Sequence, residues 1–220
     1  MCYHTSVPAR TELKEIFDYS VITEQWKSHY DYLNGYTYAQ LPILRAEDPS
    51  AIAAYNWGLV AKWAKDKQQA DILRKGCLNA KSEDIWETAS YRDIIQEQRC
   101  LIIIDGFYEF QHINKTEKIP YFIKLKNQNA FACGGVYESW QDPTSGEIRN
   151  TCSIITTPAN PLMAKIHNTK FRMPFIMTKK TMMEWINPRL ERKEINELMQ
   201  PLNEDLMEGY TIKKFNPQNQ

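Results

Sequence analysis

The sequence predicts an α+β domain built around a mostly antiparallel sheet. Three observations carry that class. Runs rich in β-branched and aromatic residues recur through the second half (RCLIIIDGFYEFQ, YFIKLKN, AFACGGVYESW, RNTCSIITT), several with period-two alternation. Helical patterns are scattered among them in no regular strand–helix–strand order, which argues against a parallel sheet. Hydrophobic residues make up 43% of the 220, enough for one core, and no repeat, low-complexity tract or linker divides the chain. One domain over 1–220 is expected.

In chain order, residues 11–29 (TELKEIFDYSVITEQWKSH) combine spaced apolar positions with many charges, the pattern of an amphipathic helix. NGYTYAQLPIL reads as a turn followed by a strand. YNWGLVAKW reads as a short strand that turns at or soon after Gly58. KDKQQADILRKGCLNA is a polar stretch or helix ending near Gly76, and KSEDIWETASYRDIIQEQR has helical spacing. In RCLIIIDGFYEFQ the DG pair is a hairpin or bulge signal between two strands. QDPTSGE is a turn. TPANPLMAKIH opens a helix, with Thr157 or Asn160 as its cap. RMPFIM returns to strand, TKKTMMEWIN and ERKEINELMQPLN are two late helices, and YTIKKF is a last strand.

Composition narrows the function classes. Lys plus Arg and Asp plus Glu balance at 27 each, so any phosphate-binding surface has to be a local patch. The cysteines number five and no CxxC occurs, which argues against a disulfide framework and against a zinc knuckle. MCYHTSVPARTELKE has no apolar leader segment, and no apolar run approaches the ~18 residues of a spanning helix. A reduced, cytosolic, soluble protein is expected, with no cofactor and no metal. Cys2 with His4 is too small a set for a metal site.

Four stretches carry side chains suited to chemistry, each with a bland reading beside it. Cys2 follows the start methionine. If Met1 is removed, Cys2 offers an α-amine and a thiol on adjacent carbons, a pair that condenses with an aldehyde into a thiazolidine. At a pKa of ~7.8, roughly a quarter of such amines are neutral near pH 7.4, against about a thousandth of lysines at ~10.4. Standing alone, a second-position cysteine is ordinarily incidental. In CLNAKSEDIWE, Asn79 can orient a neighbour with both donors and an acceptor, while Ser82 can simply cap a helix. In DGFYEF, Glu109 either faces water or enters a pocket, where its pKa rises towards neutrality. In AKIHNTKFRMP, His167 titrates in the useful range and precedes a basic loop with Lys170 and Arg172; it is otherwise a surface histidine.

Together these stretches follow the pattern of one family. An N-terminal MC, then WGLVAKW, NAKSE, DGFYEF and TTPANP…IH…RMP, resemble in type and order the SOS-response-associated peptidase (SRAP) family of abasic-site processing proteins, over roughly residues 1–190. The resemblance implies an α+β fold with a barrel-like β core and peripheral helices. It also implies a monomer that binds abasic single-stranded DNA and is nucleoid-associated when bound. By motif, the catalytic set becomes Cys2, Asn79, Glu109 and His167. His4, Trp57, Trp63, Lys81, Arg92, Thr156, Arg172 and Pro174 fall at positions implied to bind DNA. The chain departs from the family pattern at Tyr3 and His4 (usually Gly and Arg), at Lys81 (usually Arg), and in an RMP five residues past His167 rather than two.

The chemistry implied is a covalent DNA–protein cross-link. His167 and Glu109 move protons during sugar-ring opening and imine dehydration, Asn79 holds the Cys2 amine, and the thiol closes the thiazolidine. β-Elimination from the imine makes lyase activity a side reaction, and the family name implies peptidase chemistry at Met1. Two alternatives stand beside it. One is a cysteine hydrolase with Cys2 as nucleophile and His167 as base; the other is a DNA-binding module without chemistry.

Overall fold

The computed structural model of the chain describes residues 2–9, 21–22 and 29–212. Among them the elements run β1 (His4–Val7), β2 (Val21–Ile22), β3 (Tyr30–Asn34), β4 (Gln40–Arg45), β5 (Asp48–Trp57), α1 (Lys67–Gly76), β6 (Asn79–Lys81), β7 (Arg99–Ile104) and β8 (Gly106–His112). Then come β9 (Lys118–Leu125), β10 (Phe131–Gln141), β11 (Ile148–Pro158), α2 (Pro161–Ile166), β12 (Arg172–Pro174), β13 (Ile176–Met177), α3 (Lys179–Trp185), α4 (Arg192–Leu198) and β14 (Met207–Thr211). No helix among the described residues is long and apolar enough to cross a membrane.

Strands β5, β4, β7, β10 and β11 pair antiparallel in that order, and β11 then pairs in parallel with β5 through Cys152↔Trp57. The five strands thereby close on themselves, which removes the exposed edges an open sheet would carry. Neighbouring residues go to opposite sides. Ile43, Ile102, Cys133 and Ile154 enter one apolar cluster, while Leu44, Leu101, Ala132 and Ile155 enter a second that also holds Trp185 of α3 and Ile195 of α4. Burial on both faces is why LIII reads as continuous rather than alternating hydrophobicity.

The second sheet, in the order β14-β9-β8-β1-β3, is joined to the barrel at Asp105. The DG pair is therefore not a hairpin: β7 and β8 do not pair, and the chain changes sheets between them. Gly106 is required there, because a Cβ would lie 2.1 Å from the Phe122 ring. Gly58 turns the chain after β5 with φ +107°, a conformation suited to glycine.

Three further expectations are corrected. The segment after Lys81 is a string of turns, not a continuous helix. Its hydrogen bonds alternate between three-residue spans (Ile94 N to Tyr91 O) and four-residue spans (Ile95 N to Tyr91 O). It ends where the buried Arg99 guanidinium takes Ile95 O at 3.1 Å, together with Gln96 O, as acceptors. The early helix falls mainly outside the described residues, and within it Val21–Ile22 instead form a strand parallel to β5. The last strand begins at Met207, and the end of YTIKKF lies outside the described residues. Asn160, rather than Thr157, caps α2, its Oδ1 accepting from Met163 N at 2.8 Å.

Candidate active site around Cys2

The N-terminal strand is not frayed. β1 lies between β3 and β8, with Thr5 opposite Phe107, and this antiparallel register carries the residues ahead of it alongside Glu109 and Phe110. Gly35 N donates to Tyr3 O at 2.7 Å, and Asn79 Nδ2 donates to Cys2 O at 2.8 Å. Cys2 is consequently 1% exposed and belongs to the main core cluster. Burial, reinforced by the Glu109 carboxylate, pushes its thiol well above the ordinary range, so it stays a thiol at neutral pH. Asn79 holds the Cys2 carbonyl; its own position is set by β6, which pairs in parallel with β11 at Ile154↔Asn79.

Glu109 takes the inward alternative. Phe107 and Glu109 of FYEF are buried, while Tyr108 and Phe110 between and after them are half-exposed. Burial pushes the Glu109 carboxyl up to about 7. Its Oε1 is buried with no hydrogen-bond partner, as is Asn79 Oδ1. Two buried acceptors lacking donors in one neighbourhood call for an explanation.

His167 sits at the C-terminal cap of α2, its N–H bonded to Met163 O at 2.7 Å. Its Nδ1 lies 2.9 Å from Arg172 O and 3.8 Å from Glu109 Oε1. A carbonyl only accepts, so Nδ1 carries the proton and Nε2 holds the lone pair. Burial lowers the imidazole to about 4, leaving it neutral through the physiological range. At 3.8 Å from a neutral ring, Glu109 is a neighbour of His167 and not its ion-pair partner.

The structure thus brings Cys2, Asn79, Glu109 and His167 together from four separate parts of the chain. Of the other residues singled out from the sequence, Lys81, Thr156, Arg172 and Pro174 lie together where β6 and β12 flank β11. Trp57 is fully buried, its indole N–H on Leu78 O at 2.8 Å, so it is a core side chain rather than a stacking surface. Thr156 and Pro174 are buried opposite one another in the β11–β12 pair. Arg172 is buried between Thr156 and Glu83. His4 stacks on Tyr32 and bonds its hydroxyl at 2.6 Å, and burial lowers its imidazole to about 4, so it is neutral rather than cationic. Trp63, Lys81 and Arg92 are exposed; Lys81 lies 3.7 Å from Asp84, and Arg92 3.6 Å from Asp93.

Sequence reasoning missed Tyr91, whose hydroxyl donates to Asn79 O at 3.3 Å, and Asn168, which bonds the backbone of His112 twice. It also passed over Glu83, although NAKSE contains it. Nothing local marks Tyr91, whereas the polar insert after His167 was a usable signal for Asn168.

A closed β barrel flanked by a second sheet, with Cys2 carried just ahead of β1 to a buried carboxyl and a neutral imidazole, defines an α+β protein whose candidate site lies at Cys2. The chain belongs to the SOS response associated peptidase (SRAP) family, whose model matches residues 1–215. It is 38% identical over 173 residues to the abasic site processing protein YoqW of Bacillus subtilis (strain 168), covering 78% of this chain and 74% of that one. It is 28% identical over 144 residues to the abasic site processing protein HMCES of Xenopus tropicalis, covering 57% of this chain and 42% of that one. A crystal structure of a protein from Bacteroides thetaiotaomicron superposes with a TM-score of 0.86 at 32% identity, covering 96% of this chain and 92% of that one.

Proposed function

We propose that this protein processes abasic sites in DNA by capturing the ring-opened sugar aldehyde on Cys2 as a thiazolidine. The observation that carries the reading is the convergence on Cys2 of Asn79, which bonds its carbonyl, and of Glu109, whose charge acts on its thiol, with His167 3.8 Å from Glu109. The names of its relatives, abasic site processing proteins, supply the substrate class.

The protonation states suit the chemistry. Once Met1 is removed, the Cys2 α-amine attacks the aldehyde carbon and water leaves, giving an imine. The S–H then adds across C=N, sulfur to carbon and hydrogen to nitrogen, so no net proton is gained or lost. Glu109, titrating at about 7, is divided between acid and base at working pH and serves both the loss of water and the transfer of the thiol proton. Neutral His167 offers Nε2 as the base that opens the closed hemiacetal. The buried acceptors Asn79 Oδ1 and Glu109 Oε1 suit a donor-rich guest such as the new amine or a sugar hydroxyl. If the thiol fails to close, the same imine permits β-elimination and strand cleavage.

Single-stranded DNA is the form we assign, because an extrahelical sugar reaches a buried thiol more readily than a paired one. The cysteine-hydrolase alternative needs a thiolate, and the upward push on Cys2 weighs against it. The test is a denaturing gel of Met1-free protein with an abasic single-stranded oligonucleotide. A shifted band that Cys2→Ala abolishes is expected. No band from the unsubstituted protein would sink the reading.

A further inference from the structure

We propose that the cleft between α4 and the turns after β6 holds a nucleobase of the captured strand, stacked on Trp86 and Arg192. The inference deepens the functional reading above and rests on it for the presence of single-stranded DNA.

The cleft has a volume of about 470 Å³, within the range of small-molecule sites, and Trp86, Glu87, Arg192, Asn196 and Gln200 stand on its wall. Its flat surface is held in place. Trp86 Nε1 donates to Asn196 Oδ1 at 2.7 Å, which fixes the half-buried indole against α4. The Arg192 guanidinium lies over that ring, 4.7 Å from its centroid, and Glu87 steadies it at 3.3 Å. The Arg192 side chain is nonetheless 60% exposed, so the layer remains open to a further flat group. A nucleobase stacks on an indole or on a guanidinium plane alike.

Charge favours a base over a free anion or cation. The two carboxylates of the wall are each taken by an arginine, Glu83 by Arg172 and Glu87 by Arg192. Gln200 adds an amide with both donors and an acceptor, which can meet the edge of any base. Such a surface is tolerant of sequence, as capture of a lesion in any surrounding sequence requires.

The cleft also lies beside the path to Cys2. Glu83 and Pro158 line it and both meet Arg172, Glu83 at the guanidinium and Pro158 across the β11–β12 register. Arg172 O in turn accepts from His167 Nδ1 at 2.9 Å. From Asn79 on β6 to Ser82 on the cleft wall is about 10 Å of extended chain. A single strand with its abasic sugar at Cys2 and its phosphates on Lys81 and Arg172 therefore reaches the cleft within a short run of nucleotides.

The experiment measures affinity for two unreactive single-stranded ligands of equal length. One is an ordinary oligonucleotide; the other is built of tetrahydrofuran units, which keep every phosphate and lack every base. Trp86→Ala and Arg192→Gln are compared with the unsubstituted protein, the second changing a largely exposed side chain so that folding is not at issue. The unsubstituted protein should prefer the base-bearing strand. Each substitution should shrink that preference about fivefold or more, the low end of the worth of one stacked base, with affinity for the base-free strand unchanged. In cross-linking to abasic DNA, both should raise the half-saturating concentration and leave the limiting rate as it was. An unchanged preference in both variants overturns the proposal. So do equal losses on the two strands with a flatter salt dependence in Arg192→Gln, the signature of a phosphate contact. The expected loss of base preference without any cross-link refutes only the capture chemistry, and binding to neither strand overturns both readings.

Discussion

Glu109→Gln separates the chemical role of this carboxyl from its structural cost. Burial raises Glu109 from 4.5 to about 7, and its Oε1 has no partner to offset that burial. The folded state therefore binds a proton that the unfolded chain has released between those two values. Stability contributed by the protonated carboxyl is accordingly present below about 4.5 and is lost as pH rises through about 7. At about 1.4 kcal/mol per tenfold, carrying the ionised carboxylate costs on the order of 3 kcal/mol at pH 8. Glutamine has the same shape and no charge. Glu109→Gln should thus be more stable than the unsubstituted protein at pH 8 by up to about 3 kcal/mol relative to their difference at pH 5, where both are neutral in the folded state. Urea denaturation at the two pH values measures this directly, and His167 cancels because both proteins carry it. The same substitution removes the acid–base group, so cross-linking should fall by about 10²–10⁴ and lose its inflection near 7. A stability difference independent of pH, or one that favours the unsubstituted protein more at pH 8, would refute the reasoning.

Other outcomes follow from the same geometry. Asn79→Ala removes the bond to Cys2 O; cross-linking should slow at least tenfold at saturating DNA, and stability should fall by about 1–2 kcal/mol, read by single-turnover gels and urea melts. Trp57→Ala should lower stability by about 3–5 kcal/mol while leaving the salt slope of DNA binding unchanged, because Trp57 is a core side chain. Asn168→Ala unpins the loop from His112; cross-linking at saturating DNA should slow, with little change in the affinity for intact DNA, read by single-turnover gels.

Much of the fold was legible because strand alternation is a local signal. The strands from β7 to β11, the Asn160 cap and the two late helices all fall where their residue patterns put them. What failed depended on distant partners. KSEDIWETASYRDIIQEQR has helical spacing, yet side chains from outside it bond several of its carbonyls, Trp63 taking Ala89 O and Arg99 taking Ile95 O and Gln96 O. DG marks a turn in any sequence, but the strands on either side take distant partners instead of each other, β4 and β10 for β7 and β1 and β9 for β8. The site divides in the same way. Residue types and order named Cys2, Asn79, Glu109 and His167, but nothing near Cys2 in sequence foretells its burial, which Asn79 and Gly35 impose from far along the chain. The resemblance, not any local pattern, put Trp57 and Arg172 at DNA-binding positions, and neither the burial of Trp57 on Leu78 O nor the bonds of Arg172 to Glu83 and Thr156 is marked in the sequence around them.

The central claim is that amine and thiol of one residue react together, and intact-mass measurement of the adduct tests it most directly. Met1-free protein is incubated with an abasic single-stranded oligonucleotide beside two comparators, one with a serine inserted between Met1 and Cys2 and one with an acetylated Cys2 amine. The account predicts an adduct from the free-amine protein alone, at the summed mass less one water and resistant to borohydride because no imine remains. An adduct of equal yield from either comparator, which keeps a thiol but lacks the Cys2 amine, would contradict it.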